Sequence, residues 1–196
     1  MSGVNSIRTA VPEIRKKECN LRPRLNRLNS ISLVLFLAAP ICAQEAKPRL
    51  YRVDDNVYRG LQPTRQDIAG LASSGIRTVL DLRGALDHKG WEQQAVEAAG
   101  MRYIRVGMSG FFAPSNRQID KILAVLQDPT LGPIFVHCRR GADRSGLVIA
   151  CYRISHDHWT NAQAMVEARQ QGFSRLEVLM HRYVQHFKAA SPSAER

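Results

Sequence analysis

The sequence predicts an α/β domain with a mainly parallel central sheet of about four to five strands and helices on both faces, and three observations predict it. Strand-like and helix-like segments alternate along the chain from Tyr51 to Phe187, the order that parallel strands joined by crossover helices require. Pro133-Ile134-Phe135-Val136-His137 is almost wholly apolar, as a central strand buried on both faces must be. Helix starts are marked by capping residues at Thr64 with Asp67, at Ser115, and at Thr160 with Gln163, where a side chain can satisfy amides that the first helical turn leaves unpaired.

Tyr51 to Tyr58 reads as a short strand pair turning at Asp54-Asp55-Asn56. After Pro63, the Thr64 and Asp67 capping box opens a helix that carries Ile68 and Leu71 and stops at Gly75,. Thr78-Val79-Leu80-Asp81-Leu82 is the next strand,. A helix from about Trp91 to Ala99 ends at Gly100, and Tyr103-Ile104-Arg105-Val106 follows as a strand. Ser115 caps a helix whose Ile119, Ile122, Leu123 and Leu126 share one face and which ends before Pro129,. Beyond the apolar strand, Leu147, Val148, Ile149, Ala150 and Cys151 are apolar nearly all round, which predicts a helix running through the domain centre. Helices from Thr160 to Gln171, stopped by Gly172, and from about Leu176 to Phe187 complete the domain.

At 196 residues, 44% hydrophobic and 23% charged, the chain has the composition of one ordinary domain plus an extension. Its net charge of +11 is uneven: residues 1–43 hold seven Lys or Arg against two acids, leaving 21 bases against 15 acids in the rest. That milder excess suits an anionic substrate. No aromatic residues interleave with basic runs and no zinc-finger or helix-turn-helix spacing occurs, so nucleic acid is not an expected partner. Arg22, Arg24 and Arg27 precede an apolar run from Ile31 to Ala39, shorter than the roughly 20 residues a membrane span needs. With Ala43 placed for cleavage, residues 1–43 read as an export signal, 44–190 as a single domain and 191–196 as a polar tail,. A periplasmic or secreted protein is expected, membrane-anchored only if the first segment stays uncleaved; the alternative is that the run forms a buried first strand or helix of the domain. Cys138 and Cys151 would then be the cysteines of the mature chain. Twelve residues of loop and apolar helix separate them and hold their Cα atoms beyond the roughly 7 Å limit for a disulfide, so Cys151 reads as a small core residue.

The segment that carries chemistry is His137-Cys138-Arg139-Arg140-Gly141-Ala142-Asp143-Arg144-Ser145-Gly146, of the form H-C-x5-R-S between a buried strand and a helix. The spacing lets the backbone from Cys138 to Arg144 curl into a cradle whose N–H groups point inward at an anion. Gly141 permits the turn, and the following helix aims its N-terminus at the same point. Arg144 presents a planar fork to two phosphate oxygens, and the positive field favours Cys138 as the reactive thiolate. His137 orients the loop, Ser145 is placed to hydrogen-bond the sulfur, and Arg139, Arg140, Gly141, Ala142 and Asp143 complete the cradle. Average residue usage makes this combination a chance event on the order of one chain in a million.

At these residues the sequence resembles the protein tyrosine phosphatase superfamily, and more closely its small, dual-specificity-like bacterial branch. Val57-Tyr58-Arg59-Gly60-Leu61-Gln62-Pro63 and Val79-Leu80-Asp81-Leu82-Arg83 are similar to that branch's entry segment and first core strand, and the likeness covers about residues 50 to 188. The resemblance implies hydrolysis of phosphomonoesters in two steps through a phosphocysteine on Cys138, with no metal and no cofactor. It also implies a general-acid Asp on a mobile loop before the cysteine, yet the corresponding Gly107-Met108-Ser109-Gly110-Phe111-Phe112-Ala113-Pro114 contains no acid. Asp120 lies too far along, inside a helix. C-x-x-G-x-D-R is similar to the loops of myotubularins and of some secreted bacterial phosphatases, and this assigns the acid's role to Asp143, with an ion pair or a loop-bracing bond as the alternative.

Arg139 and Arg140 favour a polyanionic substrate or are plain surface bases; a phosphorylated protein or a phosphoinositide is the expected partner, met by a monomer. Phe111 and Phe112 form a wall for an aromatic substrate or pack beneath their loop. Asp81 and Arg83 brace the loop by an ion pair. His156, His158, His181 and His186 read as helix-surface residues. Two other readings of the motif remain, a rhodanese-type sulfurtransferase and a non-catalytic phosphate-binding module.

Overall fold

A computed structural model describes residues 50–87 and 90–189; the segment read as an export signal and the polar tail lie outside them. Among the described residues the sheet has five strands: β1 (Tyr51–Arg52), β2 (Val57–Gly60), β3 (Thr78–Arg83), β4 (Arg102–Met108) and β5 (Ile134–His137). Their spatial order is β1-β2-β5-β3-β4. Only β1 and β2 pair antiparallel, through the turn expected at Asp54 to Asn56, and every other pair is parallel. The Asp54 carboxylate makes this turn by accepting from the amides of Asn56 and Val57, each at 2.7 Å.

Among the described residues there are six helices: α1 (Arg65–Ser73), α2 (Trp91–Ala98) and α3 (Asn116–Gln127) connect strands, and α4 (Asp143–His156), α5 (Asn161–Gln170) and α6 (Val178–His186) follow β5. Both capping boxes form. Asp67 and Thr64 exchange bonds at the start of α1, Gln163 and Thr160 at the start of α5, and Ser115 accepts from the Gln118 amide ahead of α3. The helix before β3 packs Ile68 and Leu71, and the next one Val96, against Val79 and Phe135 on one face of the sheet. On the other face Ile119, Ile122, Leu147, Val148, Met165, Met180 and Val184 close around Leu80, Leu82, Ile134 and Val136. Helix α4 lies within this second layer and is buried along most of its length, which is why its sequence shows no polar face.

Three details depart from the sequence reading. Helix α6 begins at Val178 rather than near Leu176, because Glu177 N–H bonds Ser174 O in a preceding turn. His181 is buried, its ring 4.4 Å from that of Phe173, and His158 sits in the link between α4 and α5 with a left-handed backbone (φ 57°). His158 stays exposed, whereas His181 is covered by Phe173 from outside its own helix, a contact that leaves no local pattern. No helix among the described residues is long and apolar enough to cross a membrane.

The register places the site. Gly60 of β2 and Asp81 of β3 both stand level with His137 at the end of β5. The strands β2 and β5 therefore finish together, with β3 running two residues further, and the chain leaving the middle strand enters an open crevice, where open α/β sheets bind their ligands.

Candidate active site

From His137 the chain turns through residues 138 to 142 into α4. Among the described residues, the amides of Arg139 through Ser145 donate to no protein acceptor, and helical bonding resumes at Gly146, whose N–H reaches Ala142 O at 2.7 Å. A row of free amides around one cysteine, at a helix N-terminus, is an anion cradle. Its carbonyls are held from below: the guanidinium of Arg59, on β2, donates to Gly141 O at 2.6 Å and to Ala142 O at 3.3 Å. Burial pushes Arg59 below the ordinary arginine range, and the charge of Cys138 opposes that shift. Gly141 adopts φ +68°, and a Cβ there would sit 2.4 Å from Gly60 O, so both its conformation and its surroundings demand glycine.

Cys138 and Arg144 line one cleft of about 560 Å³, together with Gly84 to Asp87, Gly107 to Phe111, Arg139, Arg140, Asp143 and Glu177. The two residues expected to form the thiol and guanidinium pair thus face one space. Cys138 and Cys151 are buried and free; burial raises the Cys151 thiol far above its usual range, which leaves it inert in the core. Ser145 is buried, and its hydroxyl has no hydrogen-bond partner among the described residues, so the expected bond to the sulfur is not formed here.

Behind the cradle lies a polar network in which Asp81, Arg83, Glu92 and His137 are buried. Arg83 donates to both Asp81 oxygens, at 2.9 and 2.7 Å, and to Glu92 Oε2 at 2.6 Å. Tyr103 donates its hydroxyl to Asp81 at 2.6 Å. Glu92 Oε1 lies 2.7 Å from His137 Nε2, while His137 Nδ1 is 3.2 Å from Cys138 O. The expected Asp81–Arg83 pair therefore reaches the loop through Glu92 and His137. Burial alone would raise the Asp81 carboxyl, but the Arg83 bonds, the charge of His137 and the Tyr103 bond override it and hold it well below the usual carboxylate range. Ligand atoms of Asp81, Glu92 and His137 lie within 4.8 Å of one another. They do not fit a metal ion, because the Arg83 guanidinium already bridges the two carboxylates.

Two aspartates reach the cradle. Asp143 accepts from Arg140 Nη2 at 2.5 Å and from Ser174 N–H at 3.0 Å, so both of its oxygens are engaged with protein donors. Asp87, in the loop after β3, accepts from Arg144 Nη1 at 2.9 Å. Asp120 is exposed on α3 and lines a separate cavity beside α6.

A sequence profile described as "DSP-PTPase phosphatase fused to NAD+ Kinase" matches residues 42–184, which takes in the cradle and every element that supports it. The chain belongs to this family. Among curated relatives of the family, the dual specificity protein phosphatase TpbA of Pseudomonas aeruginosa is 30% identical over 140 residues, covering 69% of this chain and 61% of TpbA. The inositol diphosphatase DSP1 of rice (Oryza sativa subsp. japonica) is 27% identical over 143 residues, covering 71% of this chain and 64% of that protein. The chain thus spans somewhat less than two thirds of these relatives. Its fold matches the crystal structure of P. aeruginosa TpbA with a TM-score of 0.61 at 25% identity, over 71% of this chain and 84% of that one. The catalytic core of the PP-IP phosphatase Siw14 of Saccharomyces cerevisiae superposes with a TM-score of 0.64 at 24% identity, over 72% of this chain and 86% of that one.

Within this dual-specificity-type phosphatase family member, three contributors escaped the sequence reading. Arg59 stood inside a recognised segment without a role, Glu92 looks like an ordinary acid in the first turn of a helix, and nothing near Asp87 marks it as a partner of Arg144.

Proposed function

We propose that the chain is a cysteine-dependent phosphomonoester hydrolase. The observation that carries this reading is the loop of unengaged amides around Cys138, with the Arg144 guanidinium in the same cleft. The Cys138 thiolate attacks phosphorus and the ester oxygen departs with a proton. Water then attacks the phosphocysteine, releasing inorganic phosphate and restoring the thiolate. Arg144 and the loop amides bind the three non-bridging oxygens, whose charge is greatest during transfer.

Asp143 is the proton donor in this scheme, giving up its bond from Arg140 when substrate enters and serving as base toward water in the second step. Phosphoproteins and phosphoinositides both fit the exposed Arg139 and Arg140 at the mouth, and the relatives' names span protein and inositol phosphates. Export through residues 1–43 and action as a monomer belong to the same proposal; the N-terminal sequence of the mature protein tests the first.

Hydrolysis of p-nitrophenyl phosphate, abolished by Cys138→Ser, is the expected result. Transfer of sulfur from thiosulfate to cyanide would make the protein a rhodanese-type sulfurtransferase instead. Phosphate binding with no turnover of any ester would make it a binding module.

A further inference from the structure

Among the described residues, large exposed apolar side chains stand around the mouth of the cleft. Leu86, on the loop after β3, is 102% exposed, Phe111 after β4 is 81% exposed, and Leu176 before α6 is 88% exposed. Phe112, Val178 and Leu179 stand exposed beside them. These side chains belong to one face. Leu86, Phe111 and Glu177 line the same cleft, while Ala113 and Leu179 line the cavity beside α6, so the loop after β4 runs alongside the start of α6. Exposed bases are set among them: Arg139 and Arg140 at the mouth and Arg175 next to Leu176. Single exposed apolar residues are ordinary, but several such side chains around one opening mark an interaction surface.

We propose that this face docks on an anionic lipid bilayer and presents phosphomonoester headgroups to the cradle. The inference extends the phosphatase reading, and the substrate half of it rests on that reading. Apolar side chains at loop tips, flanked by arginines, match the layering of a membrane interface, where hydrocarbon lies just beneath anionic headgroups. A peptide crossing the same rim would set its backbone amides and carbonyls against Leu86, Phe111 and Leu176, with the loss that unpaired polar groups incur. A lipid incurs no such loss, since its phosphate enters the cradle while its apolar part stays with the rim.

The test uses the full chain, so that any contribution of residues 1–43 is the same in every variant. Leu176→Ser with Val178→Ser alters two exposed side chains outside the cleft lining. Co-sedimentation with phosphatidylcholine vesicles containing phosphatidylglycerol is expected to fall about tenfold in this variant, while p-nitrophenyl phosphate hydrolysis stays within twofold of the parent. Arg175→Glu should weaken binding to these vesicles and leave binding to pure phosphatidylcholine unchanged. Phosphatidic acid in vesicles should be hydrolysed faster than its soluble short-chain form by the parent and not by the double variant. Equal vesicle binding by parent and double variant overturns the proposal. So does a double variant that loses phosphopeptide hydrolysis and keeps vesicle binding, which would make the face a protein-docking surface. If no phosphate ester is turned over but vesicle binding depends on the rim, the docking surface stands and the phosphatase reading fails.

Discussion

Replacing Gly141 by alanine probes the cradle most directly. At φ +68° any residue with a Cβ incurs about 1–2 kcal/mol, and the new Cβ would lie 2.4 Å from Gly60 O, 2.5 Å from Gly60 C and 2.7 Å from Leu61 N. All three atoms are main chain. None can swing aside as the end of a side chain would, because Gly60 is paired with His137 in the sheet and Gln62 N–H bonds Arg139 O at 3.3 Å. Ordinary carbon contacts begin near 3.5 Å, so the loop must move about 1 Å away from β2. Overpacking of this kind costs about 1–3 kcal/mol, and the two effects together give about 2–5 kcal/mol. For a domain of this size that lowers Tm by roughly 5–15 °C. A shift of about 1 Å in groups that grip the reacting phosphate costs on the order of 100-fold in rate. Thermal melting reads the loss of stability, and kcat/KM on p-nitrophenyl phosphate with the Kd for vanadate reads the loss of grip on the phosphate. A variant that matches the parent within 2 °C and twofold in kcat/KM would refute the argument that main-chain contact shapes the loop.

Two further predictions concern its acids. Asp143→Asn should slow p-nitrophenyl phosphate hydrolysis little and phenyl phosphate hydrolysis about 100-fold, because only the poorer leaving group needs a proton; if Asp87→Asn shows that pattern and Asp143→Asn does not, the donor is Asp87. Asp81 has a folded-state carboxyl held well below its usual range by Arg83, so its contribution is complete above the unfolded value near 4 and is lost as pH falls below it. Melting temperatures between pH 2 and 7 should therefore drop on the acid side, and Asp81→Asn should lower Tm at pH 7 yet flatten the acid slope; parallel curves for parent and variant would exclude the Asp81–Arg83 pair as a source of acid sensitivity.

What could be read in advance was what is local in the chain. The capping boxes at Thr64 and Thr160 join groups three residues apart, and the cradle lies within one turn of backbone, so spacing alone declares them. Arg59 meets Gly141 across 82 residues and Arg144 meets Asp87 across 57. These encounters are made by parallel strands ending side by side, which no periodicity encodes. Glu92 reaches His137 because the first turn of α2 abuts the end of β5, and on a helix wheel it is indistinguishable from a solvent-facing acid. Phe111 and Phe112 are the reverse case: a composition rule would bury them, and the loop that carries them projects instead from the end of β4.

The arginine beneath the loop has one more consequence. A peptide unit is rigid and flat, so drawing the carbonyls of Gly141 and Ala142 down onto Arg59 turns the opposite poles of those units upward. The dipoles above the sulfur are thus oriented during folding, before any guest arrives. A receptacle polarised in advance makes little distinction among tetrahedral visitors, so sulfate, arsenate and the reaction's own product would all compete for the seat, and the enzyme's selectivity would come from whatever surrounds the opening.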